Sequence, residues 1–549
     1  MLAATATVAL GTGAVAAGCG GGGSSGPAAT RRPAGSPVSG GSIVWGRDTN
    51  IGGIDPHIDL TGLDVDRLVY SYLYDWDPLT ETAIANDFAE SMEFPDPDSL
   101  EFIFNLRRGV MTQPGDCPGA DEELTSEDCK QSFIRRGTSL TAIDKRFPQK
   151  IAGSKDPAAL PPKLLTPDPY TFSFSMAEPF APAIREMANP TWAIVPAKVM
   201  EEYGLGLAQR AHGSGPFMLN EFRGSERVVL EKHPNYFHAG RPHLDKVTRV
   251  IITEQSSLLV AFKQGQHDIN GAALTAVDYQ DMQDDVDFIV ARAPQFFYTV
   301  IHTKMRPPFD ELKVRQALDL ATDRDELIRV TQDAQGDYNG PIQWAQTRWA
   351  LPQQELRDFY KYDPDAARAL LEEAGYRGGI STKLKFPANE PGFGRLADTA
   401  SLLQDQWRQV GINVELVEQE LGSYINSTLL PGNFDLTLFA NVPSDEPDRP
   451  LAFYHTLGVT GTGNWTNYSN LELDRLIDAQ SRELDEEKRK DLIWQAQRII
   501  LREHGPQIPL TGGYTYSAHW YYVHLPYEIG QGVPQVALPF GCDIWREQT

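Results

Sequence analysis

The chain has 549 residues, and its 74 acidic residues outnumber 49 basic ones, a formal net charge of −25. Such a surface repels phosphate backbones and excludes nucleic acid as a partner. Hydrophobic residues make up 41%, ample for several domain-sized cores. Beyond residue 19 no run has the ~18–20 apolar residues of a membrane-spanning helix.

The N-terminal run of small and apolar residues ends in Ala14-Val15-Ala16-Ala17-Gly18, directly before Cys19. This resembles a bacterial lipoprotein processing site. It predicts a signal peptide over 1–18, a lipid on Cys19, and an extracytoplasmic chain anchored to the bacterial cell membrane, in the periplasmic space or at the cell surface. A secretory signal opens on basic residues, and none precedes Arg31, so an upstream start is also expected. Residues 19–41 form the lipidated tether. Gly20 to Gly41 holds glycine, serine, proline and alanine with no aromatic residue, a composition that cannot bury enough to fold. As a flexible coil it would span on the order of 25 Å.

Folded structure is expected from Ser42-Ile43-Val44-Trp45, a strand pattern. Further strands are predicted by alternation over Leu100 to Leu106, Thr171 to Met176 and Val228 to Glu231. Leu312 to Val330 has helical spacing throughout. Pro364 to Ala374 follows Asp363, a good N-cap, and stops at Gly375. Leu471 to Glu503 reads as two helices broken near Leu484-Asp485. The fold class is mixed α/β.

Cys117 and Cys129 bracket a Pro/Gly/acidic loop and could close a disulfide in an oxidising compartment, leaving Cys542 buried. His212-Gly213-Ser214-Gly215-Pro216-Phe217 lacks the glycine two before the serine that a nucleophile elbow needs, and reads as a structural turn. His233, His238 and His243, spaced by five, share no face of a helix or strand, so no metal site is predicted. No phosphate loop or other cofactor motif is present in the sequence, and no cofactor is expected. Trp344, Trp349, Tyr338, Phe439, Tyr454 and Trp465 lie among Pro, Gly, Asn and Thr rather than in apolar runs. Aromatics so placed are candidates for lining a ligand cleft.

Five segments, in order, carry a resemblance: Ala89-Glu90-Ser91 through Phe104-Asn105-Leu106-Arg107-Arg108-Gly109-Val110; Leu124-Thr125-Ser126-Glu127-Asp128; Gly213-Ser214-Gly215-Pro216-Phe217 continuing to Pro234-Asn235-Tyr236-Phe237; Val314-Arg315-Gln316-Ala317-Leu318 through Asp323-Arg324; and Tyr362-Asp363-Pro364 to Ala374-Gly375-Tyr376. Together they resemble the family 5 extracellular solute-binding proteins, receptors of ATP-driven importers for peptides, nickel and related solutes. The resemblance implies a two-lobed, type II periplasmic-binding-protein-like fold. Lobe I would comprise 42–73, 192–297 and 503–549, with an inserted subdomain over 74–191. Lobe II would span 298–502. The hinge would include Gln295 to Thr299 and the crossing near Arg502 to Pro506.

The resemblance further implies a receptor rather than an enzyme, a monomer that captures oligopeptides and hands them to an ABC permease complex. The alternatives are an oligosaccharide or metal chelate as solute, or a secreted hydrolase. In peptide-binding members a cleft-loop carboxylate receives the ligand's α-ammonium. Here that loop reads Ser444-Asp445-Glu446-Pro447-Asp448-Arg449-Pro450. Aligning Pro450 with the family's proline puts Glu446 at the aspartate position and Arg449 where an acidic residue is common. Asp445, Glu446 and Asp448 therefore join Trp344, Trp349, Tyr454 and Trp465 as the candidate ligand-binding residues.

Overall fold

A computed structural model describes residues 36–59, 61–77, 82–85, 87–94, 100–138, 146–151, 160, 163–295, 298–388, 395–441, 446–458, 464–526 and 541–547. The signal segment, Cys19 and most of the tether lie outside these residues, as does Asp445. Among the described residues no helix is long and apolar enough to cross a membrane.

Three sheets organise the chain. The first has seven strands, in the spatial order Phe288–Pro294, Tyr514–Trp520, Ile269–Leu274, Ser42–Arg47, Lys246–Ile251, Arg227–Lys232 and Phe217–Arg223. The central strand Ser42–Arg47 runs parallel to both neighbours. Its alternation buries Ile43 and Trp45 against Ile51, Val65, Leu68 and Val69, and Val228 and Leu230 join the same core. This is lobe I. The turn at Gly213 to Phe217 packs onto it so closely that a Cβ on Gly215 would sit 2.6 Å from the backbone carbon of Val69. Ser214 is fully buried and its hydroxyl donates to Ser71 Oγ at 2.9 Å, so it serves packing.

The second sheet has four strands, Ala89–Glu93, Glu101–Leu106, Thr171–Ser175 and Leu164–Asp168. Register pairs Phe102 with Phe174 and Phe104 with Phe172 across two of them. These four rings are buried and meet Phe133 and Trp192 in one aromatic core. Each buried Phe is worth about 1.5–3 kcal/mol, with roughly 0.2–1 kcal/mol more per cross-strand pair. Cys129 points into this core and is fully buried, whereas Cys117 is partly exposed; both are free thiols. The expected Cys117–Cys129 disulfide is therefore not formed: the helix Ser126–Thr138 turns its cysteine inward to fill the core.

The third sheet, in lobe II, has the order Ile412–Gln419, Ile380–Pro387, Leu436–Asn441, Tyr298–Thr303 and Gln507–Pro509. Its first three strands are parallel. The predicted helix at Pro364 forms as Pro364–Glu373, with the Asp363 carboxylate accepting from Ala366 N at 2.9 Å. The single helix expected over Leu312 to Val330 is two, Leu312–Leu320 and Arg324–Thr331. Asp323 interrupts it by capping the second helix, accepting from Glu326 N at 2.9 Å. Leu471–Arg482 and Glu486–Arg502 are separate helices, the second capped by Asp485.

Strand pairing moves one boundary. Gln507–Pro509 pairs with Tyr298–Thr303, and Thr511–Gly512 pairs with Asp337–Tyr338, all in lobe II. Tyr514–Trp520 then enters the lobe I sheet. The chain returns to lobe I after Gly512 rather than after residue 502. Sequence periodicity could not see this, because the long helix ending at Arg502 looks like the end of a domain.

Candidate functional site

Two segments cross between the lobes, and they run side by side. Pro294 is the register partner of Tyr514, and Gln295 N donates to the carbonyl of Gly513 at 2.8 Å. The hinge is therefore Gln295 to Tyr298 together with Gly512-Gly513; Phe296 and Phe297 lie outside the described residues. The stretch Arg502 to Pro506 belongs wholly to lobe II, which corrects the expected second hinge strand.

Residues 332–344 of lobe II brace this crossing. A Cβ on Gly336 would fall 2.5 Å from the Gly512 carbonyl oxygen, so only glycine allows the approach. Gln335 Oε1 accepts from Arg292 Nη1 at 3.0 Å and from the Tyr516 hydroxyl at 3.1 Å, both lobe I groups. Gln343 is buried and its amide donates to the Gln295 carbonyl. The Trp344 ring meets Tyr514 edge-on with centroids 5.4 Å apart. Trp344 is half-buried, and its indole N–H has no hydrogen-bond partner among the described residues.

The strand directions locate the cleft. Asn441, at the carboxyl end of a parallel lobe II strand, is the register partner of Tyr298 at the hinge. Leu274, at the carboxyl end of a lobe I strand, pairs with Tyr516 just past the hinge. The carboxyl ends of both parallel sets thus come to the crossing, and in open α/β sheets ligands bind in the crevice outside those ends. On the lobe I side this edge carries Arg47 and the loop after it. Arg47 Nη1 donates to the Gly271 carbonyl at 2.5 Å, and its Nε lies 3.9 Å from Asp64. Buried Arg249 pairs with Asp64 at 2.8 Å and donates to the Thr49 carbonyl at 3.2 Å. Burial lowers the Arg249 pKa, opposed by the Asp64 charge.

The other candidates sit deeper than expected. Glu446 forms an ion pair with Arg489, and the two side chains are only 12% and 7% exposed. Asp448 is buried and accepts from Gln480 Nε2 at 2.6 Å. Arg489 also donates to the Gln480 carbonyl at 3.1 Å and lies 5.1 Å over the Trp349 ring. Glu446, Asp448 and Trp349 thus share one internal polar cluster of lobe II. Trp349 and Tyr454 belong to a lobe II core with Ile342, Leu451 and Ile493. Burial drives the Tyr454 hydroxyl well above its ordinary pKa. Trp465 is buried, stacked on Phe453 at 5.5 Å and edge-on to His302 at 5.9 Å. Of the six aromatic candidates, Trp344 alone is partly exposed, at the lobe crossing; Trp349, Tyr454, Trp465, Tyr338 and Phe439 are all buried inside lobe II.

The lobes meet again away from the hinge. Ala181 N, next to Phe180 of the four-stranded sheet's aromatic core, donates to the Ser481 carbonyl of lobe II at 2.8 Å, and Arg482 Nε pairs with Glu178 at 2.8 Å. None of these four was singled out in the sequence. The expected hinge at Gln295 to Thr299 marked one strand of the crossing; the Gly512-Gly513 pair was the available signal for the other.

Two lobes, a paired crossing at their junction, and carboxyl strand edges turned toward that junction define a two-lobed, periplasmic-binding-protein-like molecule. Solved structures share it. A periplasmic binding protein from Helicobacter pylori in complex with the peptide STSA superposes with a TM-score of 0.75 at 21% identity, covering 93% of this chain and 99% of that one. A binding protein from A. tumefacien R10 in complex with agropinic acid gives 0.75 at 21%, with the same coverage. A di/tripeptide-binding protein of Pseudomonas aeruginosa is 27% identical over 509 residues, 88% of this chain and 92% of its own length. Residues 83–464 match the model of the bacterial extracellular solute-binding proteins, family 5. The chain belongs to that family.

Proposed function

We propose that this chain is the receptor of an ABC importer and that it captures short peptides between its lobes. The observation that carries the reading is the two-strand crossing with parallel-strand carboxyl edges on both sides of it. A solute seated there touches both lobes, so its binding energy favours the closed form. The peptide class is supported by the di/tripeptide-binding relative and the peptide-bound neighbour. Main-chain hydrogen bonding suits peptides, because it holds them without reading each side chain. A receptor needs no catalytic group, and none is assigned.

Glu446 and Asp448 are engaged inside lobe II by Arg489 and Gln480. Asp445 is then the carboxylate of the three assigned to the ligand's α-ammonium, with Trp344 at the hinge as the aromatic wall. The chain is further read as a monomer, anchored through a lipid on Cys19 outside the cytoplasm.

Mass spectrometry of solutes released from the purified protein tests the class: a mixture of short peptides is expected, and a single defined non-peptide solute would sink it. Titration calorimetry with the released peptides tests the site. Asp445→Asn should weaken binding about ten- to hundred-fold, the worth of a charged hydrogen bond, and unchanged affinity would remove Asp445 from the site. A non-peptide solute is the second reading. The agropinic acid complex favours it, since it shares this fold as closely as the peptide complex does.

A further inference from the structure

We propose that Glu178 and Arg482, with the Ala181–Ser481 backbone pair, form a latch that sets the ratio of closed to open receptor. The proposal rests on the two-lobed fold and not on the identity of the solute.

Glu178 lies just before Phe180 of the four-stranded sheet's aromatic core, and Arg482 is the last residue of the lobe II helix Leu471–Arg482. Their ion pair spans 2.8 Å, and the neighbouring backbone bond from Ala181 N to the Ser481 carbonyl is also 2.8 Å. Glu178 is held on its own side by Lys150. The Arg482 and Glu178 side chains are 45% and 33% exposed. An ion pair that wet is weak and salt-sensitive, so it can be made and broken in each binding cycle.

The lobe II half of the latch is rigid, however. Gln480, next to Ser481, donates to Asp448 at 2.6 Å and to the Ile477 carbonyl at 3.1 Å. Arg489 reaches the Gln480 carbonyl from the following helix and pairs with Glu446. Glu446 and Asp448 come a few residues after the strand Leu436–Asn441, whose carboxyl end is at the hinge. The helix end that grips lobe I is thus pinned by the polar cluster inside lobe II. Glu446 and Asp448 act here as positioning residues for the latch.

The test uses the full chain without any solute, so it stands apart from the peptide reading. Spin labels at Leu205→Cys and Leu457→Cys, both highly exposed and on opposite lobes, report the interlobe distance in a Cys19→Ser, Cys117→Ser background. Glu178→Ala and Arg482→Ala should each lower the closed-to-open ratio about two- to five-fold, the range of an exposed pair. The double variant should go no further than the larger single one, because both remove the same interaction. About 0.5 M NaCl should shorten the Debye length enough to mimic the variants in wild type and leave the double variant unmoved. Distance distributions identical to wild type, or fully additive single effects, would overturn the latch. Lys150→Ala, which keeps the interlobe pair, should shift the ratio less than Arg482→Ala, and an equal shift would also count against it.

Discussion

Among the described residues the lobes of this receptor touch at two places, built in different ways. At the hinge the two crossing segments are joined backbone to backbone, Gln295 N to the Gly513 carbonyl, and side chains brace them: Gln335 accepts from Arg292 and Tyr516, Gln343 donates to the Gln295 carbonyl, and within lobe II Gly336 presses on Gly512 where a Cβ would be 2.5 Å from an oxygen. At the rim it is one backbone bond and one half-wet ion pair. The hinge has no slack; the rim has some. A close-packed contact resists separation because lost packing is not replaced by water. An exposed ion pair trades its partner for water at little cost. The difference teaches where motion is permitted: the crossing stays joined, and the far edge opens.

That contrast can be broken in order of expected effect. The largest is expected from Arg489→Met, which leaves Glu446 without the guanidinium it pairs with and releases Gln480 behind the rim helix. Removing one member of a buried pair costs about 3–5 kcal/mol. Urea unfolding should show that loss; an unchanged midpoint would mean that the rim helix is not held from inside. Next is Gly336→Ala at the hinge. The added methyl cannot fit beside the Gly512 carbonyl, and overpacking costs about 1–3 kcal/mol. If this variant is as stable as wild type, the brace is looser than its geometry requires. The smallest effect belongs to the rim and depends on pH. Burial raises the Glu178 pKa, but the hydrogen bond and charge of Lys150 and the pairing with Arg482 outweigh it and hold the carboxylate below its usual range. Lys150 holds Glu178 in both forms, so what bears on closure is the further lowering by Arg482: a carboxyl lower in the closed form than in the open one favours closure above the open-form value and loses that contribution as pH falls through the closed-form one. The closed fraction should therefore be level from neutral pH down to about 4.5 and decline below it, less steeply in Glu178→Gln. A decline that begins at pH 6 would point to another group.

Local patterns were the most legible part of the sequence. The alternating run at Glu101–Leu106 and the Asp363 cap before Pro364 declare their elements through neighbours a few residues away. The ordered motifs also placed the chain in its family. Burial at the candidate site was not legible. Glu446 and Asp448 were expected on a ligand-facing loop, because their partners Arg489 and Gln480 are 43 and 32 residues further on. Trp349 and Tyr454 sit in loop-like surroundings, yet their cover comes from helices such as Glu486–Arg502. Side chains in such stretches can be assigned to a cleft or to a core only when the covering element is known. The interlobe contacts were hidden for the same reason, since Glu178 and Arg482 are separated by 304 positions.

The strand Tyr514–Trp520 has a consequence for assembly. It lies between Ile269–Leu274 and Phe288–Pro294, and among the described residues it is the only strand in the sheet that Phe288–Pro294 adjoins. Lobe II, from Tyr298 to Gly512, is one uninterrupted stretch and can complete its sheet from its own residues. Lobe I cannot. Its edge remains unzipped until the last part of the chain arrives, and that arrival joins two strands at once. The C-terminal segment is therefore a clasp: a chain shortened before Tyr514 would keep a finished lobe II hung from a lobe I with a slot through its sheet.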